Sequence, residues 1–238
     1  MKRITTLILA VLIFKFSTSQ TIFDAVKSKD ITQVKASIDG GSDVNMQLEN
    51  GMTPLCSACA YGLKDIAELL VSKGAKVNST LKNGISPLAF TAQNGFTDIA
   101  ILLLENNADL TLKDQNGWTA LRFAARNGQL EITKLLVRNG AEVDSKANDK
   151  ATPLASAVSK GHIEIVRFLL ENGANVNNMD KDNETPVMYC ADKGQIEVLK
   201  YLLKYKPDLT IKNNNGKTAL DIASEQGQPK ILKMLEQN

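Results

Sequence analysis

The chain of 238 residues has one histidine, His162, one tryptophan, Trp118, and three cysteines, Cys56, Cys59 and Cys190. Each shortage excludes a class of chemistry. A single histidine cannot furnish a multi-histidine metal site, and three cysteines cannot build a disulfide framework. Aromatic residues are only 5% of the chain, and Lys plus Arg exceed Asp plus Glu by 28 to 26, so there is no electrostatic footprint for nucleic acid. With 43% apolar and 23% charged residues the composition is still that of a globular chain. No enzyme, cofactor, metal or nucleic-acid role is expected from these counts.

Long apolar runs are also scarce. The longest, Ile4 to Phe14, follows Lys2 and Arg3 and leads into Ser17, Thr18 and Ser19, which is the order of an export signal. Its 11 residues, ended by Lys15, fall short of the roughly 20 needed to span a bilayer. Residues 1–19 are therefore read as a signal peptide that is removed, leaving Gln20 first and no stable membrane anchor. Removal takes Lys2, Arg3 and Lys15 with it, and the net charge goes from +2 to −1. The protein is expected to be exported, to a periplasm or the extracellular space.

A period of 33 residues organises what remains. Thr53-Pro54-Leu55, Ser86-Pro87-Leu88, Thr119-Ala120-Leu121, Thr152-Pro153-Leu154, Thr185-Pro186-Val187 and Thr218-Ala219-Leu220 succeed one another without an insertion. Nine residues after each Thr or Ser stands a glycine: Gly62, Gly95, Gly128, Gly161, Gly194 and Gly227. A hydroxyl that caps free N–H groups, followed by proline at the first helical position, starts a helix. The glycine ends it. A second helix follows with apolar residues at helical spacing, as in Ile165, Val166, Phe168, Leu169 and Leu170. Helices this short are not stable alone, so neighbouring units must bury one another's Leu and Ala faces. Polar ends are then expected, and Gln33, Ser37 and Glu236 stand in slots that are apolar elsewhere.

On these strings, and on Gly161-His162-Ile163-Glu164-Ile165-Val166, the chain resembles the ankyrin-repeat family, most closely its small exported bacterial-type members. The resemblance implies an all-α solenoid with β-hairpin fingers, of about seven 33-residue units counting degenerate caps. The expected organisation is one domain over residues 20–238: a cap at 20–47, then repeats at 48–80, 81–113, 114–146, 147–179, 180–212 and 213–238. The family's histidine after Thr-Pro-Leu is replaced in all six copies, by Cys56, Ala89, Arg122, Ala155, Met188 and Asp221. That histidine braces the finger, so the resemblance implies fingers without their usual brace. Lys150 and Asn183 also replace the turn glycine, and Lys206-Pro207 replaces a Gly-Ala.

Several motifs carry possible chemistry. Cys56 and Cys59 form a C-x-x-C at a helix start, where the helix dipole can lower a thiol pKa, yet Cys59 occupies the small inward slot of Ala92, Ala125, Val158 and Ala191. Cys190 stands nearly four repeats from Cys59, beyond disulfide reach. Gly216-Lys217-Thr218 resembles the end of a phosphate loop but lacks its first glycine, and Asp180, Asp182 and Glu184 resemble a calcium loop whose closing Glu is Ala191. His162 has neither a second histidine nor a cysteine in register, which excludes the usual nucleophilic triads. Asn78-Ser79-Thr80 and Asn183-Glu184-Thr185 match a glycosylation pattern.

The surface offers more. Family members vary, and bind, at the residue before each capping Thr or Ser and at the end of the first helix on the concave side. Here the first series reads Met52, Ile85, Trp118, Ala151, Glu184 and Lys217, and the second includes Tyr61, Arg126, Lys160, Asp192 and Lys193. Trp and Arg are typical interface anchors. The expected function is an exported, monomeric, non-catalytic scaffold that binds another protein through Met52, Tyr61, Ile85, Trp118, Arg126, Lys160, Glu184, Asp192 and Lys193. Two alternatives are a thiol-based or oxidative-stress-protective protein using Cys56 and Cys59, and a secreted host-directed effector.

Overall fold

A computed structural model describes residues 22–238. The segment read as an export signal lies outside the described residues, as does the start of the expected cap. The helices are α1 (22–28), α2 (Ile31–Asp39), α3 (Pro54–Tyr61), α4 (Lys64–Ser72), α5 (Pro87–Asn94), α6 (Thr97–Glu105), α7 (Ala120–Arg126), α8 (Leu130–Arg138), α9 (Pro153–Lys160), α10 (Ile163–Glu171), α11 (Pro186–Lys193), α12 (Ile196–Leu203), α13 (Ala219–Glu225) and α14 (Pro229–Glu236). They fall into two compact units, one of residues 22–91 with 96–109 and one of residues 92–95 with 110–238.

The helix starts are built as the repeated Thr and Ser predict. The Thr53 hydroxyl accepts the Cys56 N–H at 3.0 Å, Ser86 accepts that of Ala89 at 3.1 Å and Thr152 that of Ala155 at 3.3 Å. Each such cap contributes about 1 kcal/mol. The second helices use another device. Leu63, Phe96, Gln129, His162 and Gln195 cap them without a side-chain hydrogen bond. Asp65, Asp98, Glu131, Glu164 and Glu197 in the first turns supply negative charge to the positive helix ends instead.

In the first unit α2, α4 and α6 pack in succession and α3 lies on α4. In the second, α7, α9, α11 and α13 stand side by side, with α8, α10, α12 and α14 as a second row. Their facing residues, among them Leu121, Leu136, Leu154, Leu169 and Leu199, are buried. Leu220 departs from the expectation of polar ends: it is 38% exposed where Leu154 is 0% and Val187 1%.

The fingers correct a second expectation. Among the described residues no strand forms. Each finger is a five-residue turn closed by two bonds, so it ends before a hairpin ladder can start. The Asp114 N–H donates to the Trp118 carbonyl at 3.1 Å and the Gly117 N–H to the Asp114 carbonyl at 2.8 Å, and the finger at 180–184 repeats the pattern at 3.1 and 3.2 Å. Within each unit, successive fingers are joined by one backbone bond. In the first unit Lys82 donates to the Asn50 carbonyl at 2.9 Å; in the second, Asn148 donates to Asn116 at 3.0 Å, Lys181 to Asp149 at 2.8 Å and Asn214 to Asp182 at 3.0 Å.

A second link joins the loop before a finger to the matching loop one unit later. The Asn45 amide accepts the Lys76 N–H at 2.8 Å and donates to the Gly74 carbonyl at 3.0 Å. Asn78 does the same with Asp109 at 2.8 Å and Asn107 at 3.1 Å. At the matching position Asp144 accepts the Asn175 N–H through Oδ2 at 3.0 Å, but its Oδ1 is buried without a hydrogen bond. A carboxylate oxygen stands there where an amide would donate. Asp144→Asn is therefore expected to stabilise the chain by about 1 kcal/mol, measured as a higher urea midpoint at unchanged slope.

Candidate binding surface

Trp118 leaves its finger on a fixed backbone. The Asp114 carboxylate accepts its N–H at 2.7 Å and that of Asn116 at 2.9 Å, while Thr119 directly after it caps α7. The half-buried indole packs on Phe123, with ring centroids 5.1 Å apart and planes at 56°. Two guanidinium groups flank it, Arg122 at 4.3 Å and Arg126 at 5.2 Å from the ring centroid.

The two arginines have different tasks. Arg122, with a side chain only 4% exposed, fills the slot where the resemblance leads one to look for histidine. Its Nη1 and Nη2 each reach the Asp149 carboxylate at 2.5 Å, Nε donates to Ser156 Oγ at 3.0 Å and Nη1 to the Ala151 carbonyl at 3.3 Å. The hydrogen bonds from Arg122 hold the Asp149 carboxyl below the usual carboxylate range. Asp149 passes the restraint on, since its carbonyl accepts from Lys181 in the next finger. The fingers at 114–118 and 147–151 thus have a brace, against the expectation that they lack one. Arg126, by contrast, has no ion pair among the described residues and is half-exposed. Its carbonyl is held by His162, whose Nε2 lies 3.1 Å away. That contact gives the only histidine a structural role.

The remaining candidate residues are dispersed. In the first unit Met52 and Tyr61 line a shallow groove with Phe23 and Leu48, Tyr61 being 51% exposed, and Ile85 is half-buried on its own finger. In the second unit Lys160 closes α9 and is exposed. Asp192 is already engaged, by Lys193 at 2.8 Å and by the Gln226 amide at 2.9 Å. Glu184 is half-buried, and burial together with the neighbouring Asp180 pushes its carboxyl above the ordinary range. Asp180 spends its oxygens on the N–H groups of Asp182 and Glu184 and on the Tyr189 hydroxyl at 2.6 Å. Lys217 pairs with Glu225 at 2.5 Å, so the phosphate-like string does not present a free lysine. Among the described residues no group of three His, Cys, Asp or Glu side chains is placed to hold a metal ion.

The cysteine pair is placed against thiol chemistry. Cys56 and Cys59 are both fully buried and in no disulfide, and burial pushes both thiols up from their ordinary value. A redox C-x-x-C needs the opposite shift and access to solvent. Both thiols are expected to react with an aromatic disulfide reagent only as the chain unfolds, a rate that stopped-flow absorbance would measure.

Sequence reasoning placed Trp118 and Arg126 on one surface but missed Arg122 as their support. The available signal was a charged residue at a helical position whose counterparts are mostly small or apolar.

Comparison with curated proteins finds no match. The family model described as ankyrin repeats (3 copies) matches residues 22–114, 109–180 and 175–238, so that together the matches cover all the described residues. With paired short helices, hydroxyl-capped starts and stacked fingers already in view, this match is decisive: the chain belongs to the ankyrin-repeat family.

Proposed function

We propose that this protein is an exported, non-catalytic scaffold that binds another protein through its fingers and the ends of its first helices. Ankyrin repeats are generally protein–protein interaction modules, and the reading starts there. The observation that carries it is Trp118, half-exposed and in contact with two guanidinium groups on a braced finger. A large aromatic held in place before binding loses little entropy on association. Met52, Tyr61 and Ile85 in the first unit, and Arg126, Lys160, Glu184, Asp192 and Lys193 in the second, complete the proposed contact set. The chain acts as a monomer of seven units, with a cap at 20–47 and repeats from 48 to 238, and residues 1–19 direct export.

The test is affinity capture with the wild-type chain and with Trp118→Ala and Ile85→Ala. Removing a true anchor weakens binding by about 2 kcal/mol, roughly thirtyfold, and unchanged recovery of the same partner by both variants would sink the surface assignment. Export is checked separately by the mass of the mature chain, which should begin at Gln20.

A further inference from the structure

We propose that Trp118, Arg126 and Lys160 form a receptor for an acidic peptide segment, with Arg126 taking a carboxylate of that segment. The proposal rests on the protein-binding reading above and names the chemistry of the partner.

Charge decides it. Around Trp118 the acidic groups are already committed: Asp149 to Arg122, Asp114 to the backbone of its own turn, and farther along Asp192 to Lys193 and Gln226. The cations are not. Among the described residues neither Arg126 nor Lys160 makes an ion pair, and the Trp118 indole N–H donates no hydrogen bond. The surface therefore offers two unpaired cations and one unused donor, while Asp149 and Asp192 are neutralised by Arg122 and Lys193. Only an anion satisfies all three.

Geometry narrows the anion to a peptide carboxylate. A guanidinium binds a carboxylate through two parallel N–H bonds, and Arg126 is held for this by its stacking on the indole and by the His162 contact at its own carbonyl. The indole face beside it covers the apolar stem of the incoming side chain. Lys160 ends α9, the helix packed against α7, and packed helices lie about 8–10 Å apart. An extended peptide rises about 3.3 Å per residue and alternates its side chains, so acidic side chains two residues apart stand on one face about 6.6 Å from each other, a span the long Lys160 side chain adjusts to. Arg122 takes no part in binding; it is a positioning residue that packs on the indole.

Trp118 is the only tryptophan, so its fluorescence reads this surface directly. The full chain is titrated with hexaglutamate and, in parallel, with hexalysine. Hexaglutamate should give a saturable change in Trp118 emission that weakens about tenfold between about 0.05 and 0.5 M salt, and hexalysine none. Arg126→Gln should weaken hexaglutamate at least tenfold and Lys160→Gln less, at an unchanged melting temperature, with Arg126→Lys keeping part of the binding. No saturable change, an equal response to hexalysine, or full binding by Arg126→Gln overturns the proposal. Affinity capture separates the two levels. A partner lost with Trp118→Ala but retained by Arg126→Gln and in 0.5 M salt, about the condition that screens such contacts, leaves the surface standing and removes the acidic peptide. A partner retained by every variant removes the surface itself.

Discussion

Arg122→Met is expected to destabilise the second unit by about 2–3 kcal/mol, below the 3–5 typical of a fully buried pair because water reaches Asp149. The side chain of Arg122 is 4% exposed and that of Asp149 39%, so removal strands a carboxylate that solvent partly rescues while the Ser156 and Ala151 contacts are lost outright. The loss should depend on pH. Arg122 lowers the folded-state pKa of Asp149, so the pair's stabilisation is present above the unfolded value of about 3.9 and is lost as pH falls through the lower folded value. Urea titrations at pH 7 and pH 3 should therefore show the gap between wild type and Arg122→Met narrowing in acid. Asp149→Asn should cost at least as much at pH 7, because it leaves the buried cation without its counter-charge. The double variant Arg122→Met with Asp149→Asn should lose less than the sum of the two, since neither partner is then stranded. Full additivity would show that the two side chains do not act as a pair.

Gly117→Ala should cost about 2–4 kcal/mol, combining backbone strain with a steric clash. Gly117 has φ of +78°, and a Cβ there would lie 2.8 Å from the backbone nitrogen of Asn148 and 3.1 Å from the Ala147 Cα. That nitrogen donates the single backbone bond joining the two fingers, so relief must come from the ladder itself. Gly140 is the control. Its φ is +91° with nothing within 4 Å of a built Cβ, so Gly140→Ala carries only the conformational cost, roughly 1–2 kcal/mol. Lys150 and Asn183 hold the corresponding turns at φ of 58° and 57°, which shows that the turn admits a side chain at a smaller angle. Gly117→Ala should accordingly fold, with a lower urea midpoint than Gly140→Ala and a shifted Trp118 emission. Equal midpoints would mean that the fingers part without cost.

Much of this molecule is legible along the chain because its rules are local. A hydroxyl followed by proline starts a helix through atoms three residues apart, and Thr53, Ser86 and Thr152 make the bonds their positions require. The inward Leu of each unit is read from periodicity alone, and burial agrees from Leu55 to Val187. Leu220, 38% exposed, fails that pattern. The fingers fail differently: turn residues signal a reversal, but strand pairing depends on how many residues remain on either side before the helices take over.

Sequence by itself determined the repeat, the family and the helix starts, because capping, turn formation and amphipathic spacing act over a few residues. Tertiary structure alone decided which polar groups are spent. Arg122 and Arg126 are four residues apart on one short helix and chemically the same, yet one meets Asp149, 27 residues away in sequence, and the other meets only the indole. Ion pairing depends on separation in space, and within the second unit it is the stacking of one finger on the next that brings Arg122 to its carboxylate and leaves Arg126 free.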